Sequence, residues 1–152
     1  MGLDMSLYRR TRVMNYDHTP EDKKYSVTVT KGGKPADVKP ERISSIIEEA
    51  MYWRKANAIH GWFVRNVQDG EDDCGEYYVS EDNLKELLAL CKAVAADHAK
   101  AEALLPTQSG FFFGGTEYDE GYFQDIDDTI KGIEGLLKEN NEDSYFLYSS
   151  SW

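Results

Sequence analysis

The 152-residue chain is acidic: 28 Asp and Glu against 17 Lys and Arg give a formal net charge of −11. That balance excludes a broad grip on nucleic-acid phosphates, which needs a basic surface, and it fits solubility or mimicry of nucleic acid toward a basic host protein. With 41% apolar and 30% charged residues, the composition is globular and suits a single domain spanning 1–152.

Leu3, Met5 and Leu7 alternate with Asp4, Ser6 and Tyr8, the period-two pattern of a strand with one apolar face. Gly2 and Ser6 also satisfy the short N-acylation formula. No basic patch follows to reinforce a single acyl chain, so the segment reads as a strand. It runs into Arg9, Arg10 and Arg12, the densest basic stretch. Arg9 and Arg10 point to opposite faces, so one can reach a site while the other meets solvent or an acid. Tyr25, Val27 and Val29 predict a second strand ending at Lys31-Gly32-Gly33-Lys34.

Pro40 suits the first turn of a helix. Ile43, Ile46, Ile47, Ala50, Trp53, Asn57, Gly61 and Val64 recur at three- and four-residue steps and predict one long helix from Pro40. Its second half is apolar on other faces too, which implies burial between layers or contact with another chain. Residues 68–75 read as an acidic turn and Glu76 to Val79 as a short extended segment. Ser80 is a helix N-cap with Glu81 and Asp82 in the first turn. Leu84, Leu87, Leu88, Cys91, Val94, Ala95 and His98 mark that helix's stripe, which Leu104-Leu105-Pro106 ends.

Phe111, Phe112 and Phe113 then stand between glycines. Three adjacent rings cannot share one face; one is expected to anchor the loop in the core and another to cover a pocket or a partner. Thr116 reads as the cap of a third helix, with Tyr122, Ile126, Ile130, Ile133 and Leu137 as its stripe. Gly132 and Gly135 weaken it by about 1 kcal/mol each relative to alanine. Tyr145 to Tyr148 form a closing strand. The expected fold is α+β: a small antiparallel sheet of the N-terminal strands plus the C-terminal strand, covered by three helices.

The segment Tyr52 to Phe63, YWRKANAIHGWF, places Arg54 and Asn57 on or beside the apolar stripe, with His60 at its edge. Buried polar groups are costly unless paired. In one reading Arg54 pairs with a carboxylate and Asn57 caps a strand end or loop. In the other the helix lines a pocket for a ring-plus-phosphate ligand. Arg54, with Arg9 or Arg10, neutralises phosphate; Tyr52, Trp53 or Phe112 stacks on the ring; Asn57 and His60 read polar edges; Tyr118 joins from the loop. No nucleophile elbow, HExxH, Walker loop or Cys–His signature is present. His18, His60 and His98 are too dispersed for a metal cluster, and Cys74 and Cys91 form no CxxC pair. No catalytic residue, metal or cofactor is therefore expected. A reducing cytoplasm is the default, and no apolar run approaches the roughly 20 residues of a membrane span.

Three blocks, MGLDMSLYRR, YWRKANAIHGWF and GFFFGGTEYDEGYF, resemble those of small proteins encoded by phages and prophages. The resemblance spans most of the chain and implies a setting, the cytoplasm of an infected bacterium, where such proteins often block host defence. The leading expectation is a non-catalytic protein that sequesters a small anionic, nucleotide-like ligand. The alternatives are an acidic inhibitor that docks a basic host protein through acids such as Glu71, Asp72 and Asp73, and a nucleotide-acting enzyme using His60. A homo-oligomer is compatible with all three; direct nucleic-acid binding and membrane association are not expected.

Overall fold

In the computed structural model, which describes residues 2–152, the alternating start of the chain forms β1 (Asp4–Arg12). It is a central strand. On one side it pairs antiparallel with β4 (Ser45–Arg54) and on the other with β6 (Ser144–Ser151). A short β5 (Glu76–Val79) adds to the far edge of β6, giving the order β4-β1-β6-β5. The fold is α+β, as the sequence pattern predicts.

Leu3, Met5 and Leu7 are fully buried and meet Trp53, Val79 and Tyr148 from the other strands. The helices α1 (Asn57–Asn66), α2 (Glu81–Ala96) and α4 (Glu120–Leu137) complete this core, with a single turn, α3 (Ala101–Leu104), between the last two. Phe63 of α1 stacks on Tyr148 at 3.9 Å between ring centroids. The opposite sheet face carries Asp4, Ser6, Tyr8 and Arg10 of β1, each half-buried.

Two predicted elements differ. The long helix from Pro40 is instead a 3-10 turn (Pro40–Arg42), then β4, then α1. The strand was hidden by a bulge: Leu7 pairs with Met51 but Tyr8 pairs with Glu49, leaving Ala50 as an extra residue. One extra residue turns a period-two pattern into the apparent three- and four-residue steps Ile46–Ala50–Trp53. The stripe stops at Lys55, whose φ of 56° lies in the left-handed region. The apolar second half of the predicted helix is α1, and Asn57 to Val64 are all buried within the chain.

Tyr25 to Val29 do not join the sheet. Both edges of β1 are taken, by β4 and β6. Tyr25 exchanges two hydrogen bonds with the Asn15 side chain and donates its hydroxyl to Asp143. Beyond it, β2 (Thr30–Lys31) and β3 (Lys34–Pro35) form a small ribbon. Its turn needs positive φ at Gly32 and Gly33, 59° and 78°.

The helix starts follow local chemistry. Ser80 caps α2 through a reciprocal pair of hydrogen bonds with Asn83. That helix stops at Ala96, earlier than predicted, because extended Asp97 turns its side chain onto Ala99 to cap the next turn. Asp119, and not Thr116, caps α4 by accepting from the Tyr122 amide. Gly132 gives room to a neighbour: a Cβ there would lie 2.3 Å from Met51 Cε.

Candidate functional site

An open hollow of about 310 Å³ lies where the starts of α1 and α4 meet, lined by residues including Arg54, Lys55, Asn57, Thr107, Asp119 and Asp125. A second hollow of about 440 Å³, between β4 and α4, shares Arg54 and Asp125 with it and is also lined by Tyr52, Trp53 and Asp128.

One wall is cationic. Arg54, the last residue of β4, is half exposed and pairs with Asp4 at 3.1 Å. Lys55 is exposed and has no carboxylate within ion-pair distance among the described residues. Its stem passes beside two glycines: a Cβ on Gly2 would lie 2.8 Å from Lys55 Cε, and one on Gly114 3.2 Å from Lys55 Cβ. Ala56 is the N-cap of α1, so no side chain caps that helix, and its first turn holds no acid. In that turn the Asn57 amide donates to the Lys55 carbonyl at 2.9 Å, whereas the amides of Ala58 and Ile59, which line the hollow, have no acceptor among the described residues, and the positive end of the helix dipole adds to the two cations.

The other wall is acidic. Asp119 is engaged as the α4 cap. Asp125 is partly buried, and its carboxyl is pushed up to about 6, first by burial and then by the like charges of Asp128 and Asp119.

The loop before α4 is fastened to the site by Asn57. Its side-chain amide donates to the carbonyls of Phe113 at 3.0 Å and Gly115 at 2.8 Å, and its oxygen accepts from the Gln108 amide at 2.9 Å. The residue predicted to read a ligand is thus used up in holding the loop. His60 is likewise internal and fully buried. Its Nδ1 lies 2.7 Å from the Tyr148 hydroxyl and its Nε2 3.0 Å from Asp72 Oδ2. Asp72 accepts only, so Nε2 carries the proton and Tyr148 donates to Nδ1. The Trp152 indole donates to the other Asp72 oxygen. Neither ring nitrogen is left for a ligand.

The remaining predicted residues scatter. Trp53 is 5% exposed and donates its indole N–H to Thr129 at 2.8 Å, which ties β4 to α4 and leaves no ring face for stacking. Tyr52 is exposed, lines the second hollow and donates its hydroxyl to Asp4. Arg9 bonds Glu48 and Glu139, and Arg10 bonds the Tyr145 hydroxyl at 3.2 Å and lies 3.5 Å from Glu76. β1 pairs Asp4 with Arg54 and Arg9 with Glu48; five residues of strand, roughly 16 Å, separate the two sites, so Arg9 and Arg10 do not join Arg54. Phe112 is half-buried and its carbonyl accepts from the Leu3 amide. The Tyr118 hydroxyl accepts from the Thr107 amide at the rim. Of the three rings, Phe113 is the core anchor, 6% exposed and edge-on to His60, while Phe111 is 94% exposed.

The structure therefore brings Arg54 and Asn57 to one hollow, with Tyr52 next to it. Sequence reasoning missed Lys55 and Asp125. Lys55 adjoins Arg54 but lay on the wrong side of a presumed helix, and Asp125 carried no signal in an acidic chain. Among the described residues no helix is long and apolar enough to cross a membrane, and no group of three His, Cys, Asp or Glu is placed to hold a metal.

The fold and hollow define a two-layer α+β protein with a polar cleft between two helix starts. In comparisons with family models, curated proteins and solved structures, nothing matches the chain.

Proposed function

We propose that the protein is a non-catalytic binding protein that captures a small anionic, nucleotide-like ligand in the hollow between α1 and α4. The observation that carries this reading is the uncapped start of α1, opening onto that hollow beside Arg54 and Lys55. Backbone amides, a helix dipole and two cations converge there, which is the chemistry of a phosphate or carboxylate site. A volume of about 310 Å³ lies within the range of small-molecule sites. In the setting that the phage resemblance implies, such capture would remove a host defence signal.

Capture is favoured over turnover because His60, the acid or base that a nucleotide-acting enzyme would use, is committed on both ring nitrogens and shut off from solvent. Charge mimicry loses part of its surface, since Asp72 serves His60 and Trp152 while Asp73 bonds Tyr77 and Gly75. Isothermal titration with linear and cyclic nucleotides tests the reading. Binding should weaken at least about tenfold in Arg54→Ala/Lys55→Ala, and the ligand should return unchanged on denaturation. Absence of heat and of thermal stabilisation across the panel would remove it.

A further inference from the structure

The cationic wall of the hollow suits an anion; the wall opposite does not. Asp125 accepts no side-chain hydrogen bond and has no ion-pair partner among the described residues, although it is partly buried. It sits where the two hollows meet, with Asp128 one turn further along the same helix face. A carboxylate without a donor, held in a partly desolvated place, is costly. Its oxygens stay open to the two hollows, and a ligand that brings N–H groups there can take the place of solvent.

A bare phosphate would be repelled by this wall. The arrangement fits a ligand with an anion at one end and adjacent N–H donors at the other. Among nucleotides the distinction is sharp. Guanine presents N1–H and the N2 amino group side by side, matched to the two oxygens of one carboxylate. Adenine offers a single amino donor beside a ring nitrogen whose lone pair faces the same carboxylate.

Resting on the capture reading above, we infer that the hollow selects a guanine nucleotide, with the base edge on Asp125 and the phosphate held by Arg54, Lys55 and the start of α1. Asp128, in the second hollow, keeps that end of the site electronegative and favours donors there.

Titration of the protein with 5′-GMP, 5′-IMP and 5′-AMP at pH 7.5 tests this. GMP should bind at least about tenfold more tightly than AMP, with IMP, which lacks the N2 donor, between them. Asp125→Asn should bring GMP down to the affinity of AMP, while Asp125→Glu should keep part of the preference; far-UV circular dichroism of each variant establishes that it is folded. Equal binding of GMP and AMP, or GMP binding undiminished in Asp125→Asn, would overturn the guanine assignment and leave capture standing. No heat from any of the three would overturn the guanine assignment, and capture falls with it if the wider panel of linear and cyclic nucleotides is silent too.

Discussion

Asn57 and Gln108 lie 51 positions apart in the chain and are joined by a 2.9 Å hydrogen bond from the Gln108 amide to the Asn57 carboxamide oxygen. With the two bonds that Asn57 donates to Phe113 and Gly115, one buried side chain holds both limbs of the loop that roofs the hollow. Asn57→Ala removes three bonds and leaves buried backbone groups unpaired. At about 1 kcal/mol each, it should cost roughly 3 kcal/mol in urea unfolding. It should also open residues 107–116 to limited proteolysis before the rest of the chain. Unchanged stability with an intact loop would contradict this role.

Adjacent rings of that loop should behave oppositely. Phe113 is buried against His60 and Trp152, so Phe113→Ala should lose about 3–5 kcal/mol. Phe111 is 94% exposed, and Phe111→Ser should stay within about 0.5 kcal/mol of the parent. Thermal unfolding of the two variants side by side measures the contrast.

The two glycines of α4 also separate. A Cβ on Gly135 meets nothing within 4 Å, so Gly135→Ala should stabilise the protein by up to about 1 kcal/mol through helix propensity alone. At Gly132 the same methyl group would displace Met51. Gly132→Ala should therefore gain less than Gly135→Ala, and a larger gain at Gly132 would show that Met51 is not packed there.

Asp125 gives a pH signature. Its carboxyl is pushed up to about 6 in the folded protein, whereas an unfolded Asp titrates near 3.9. Between those values the folded state binds more proton than the unfolded state, so this group's contribution to stability falls as pH rises from about 4 to about 6, and is level above. Asp125→Asn should therefore be more stable than the parent at pH 7.5. The gain, about 1 kcal/mol after allowance for solvent screening, should vanish near pH 4. Chemical denaturation of both proteins at several pH values checks the sign; a gain that grows toward low pH would refute it.

Where local chemistry decides, the sequence was readable. The alternation of Leu3, Met5 and Leu7 gave β1, and Ser80 announced α2 by the same capping that the structure contains. β4 was concealed because a single bulged residue, Ala50, shifts the apolar spacing out of period two. The same error moved Arg54 from a strand end to a helix face. Arg54 was still legible as a polar residue in apolar company. Asn57 and His60 were legible for that reason too, but their partners Gln108, Phe113, Tyr148 and Asp72 are set by tertiary contact, which spacing along a helix cannot reveal. Asp125 is one of 28 acids; only burial distinguishes it.

The pairing of β1 with β6 joins residues 4–11 to residues 144–151, so the middle of the sheet closes across almost the whole chain. High contact order of this kind slows folding, because the entropy of closing a long loop is lost before the contacts that reward it form. On a ribosome, β1 and β4 can zip together early, but the other edge of β1 stays open until residues 144–151 emerge. During that interval Leu3, Met5 and Leu7 line an unfinished sheet, and removal of residues 144–151 would leave β1 without its second neighbour and β5 without its partner.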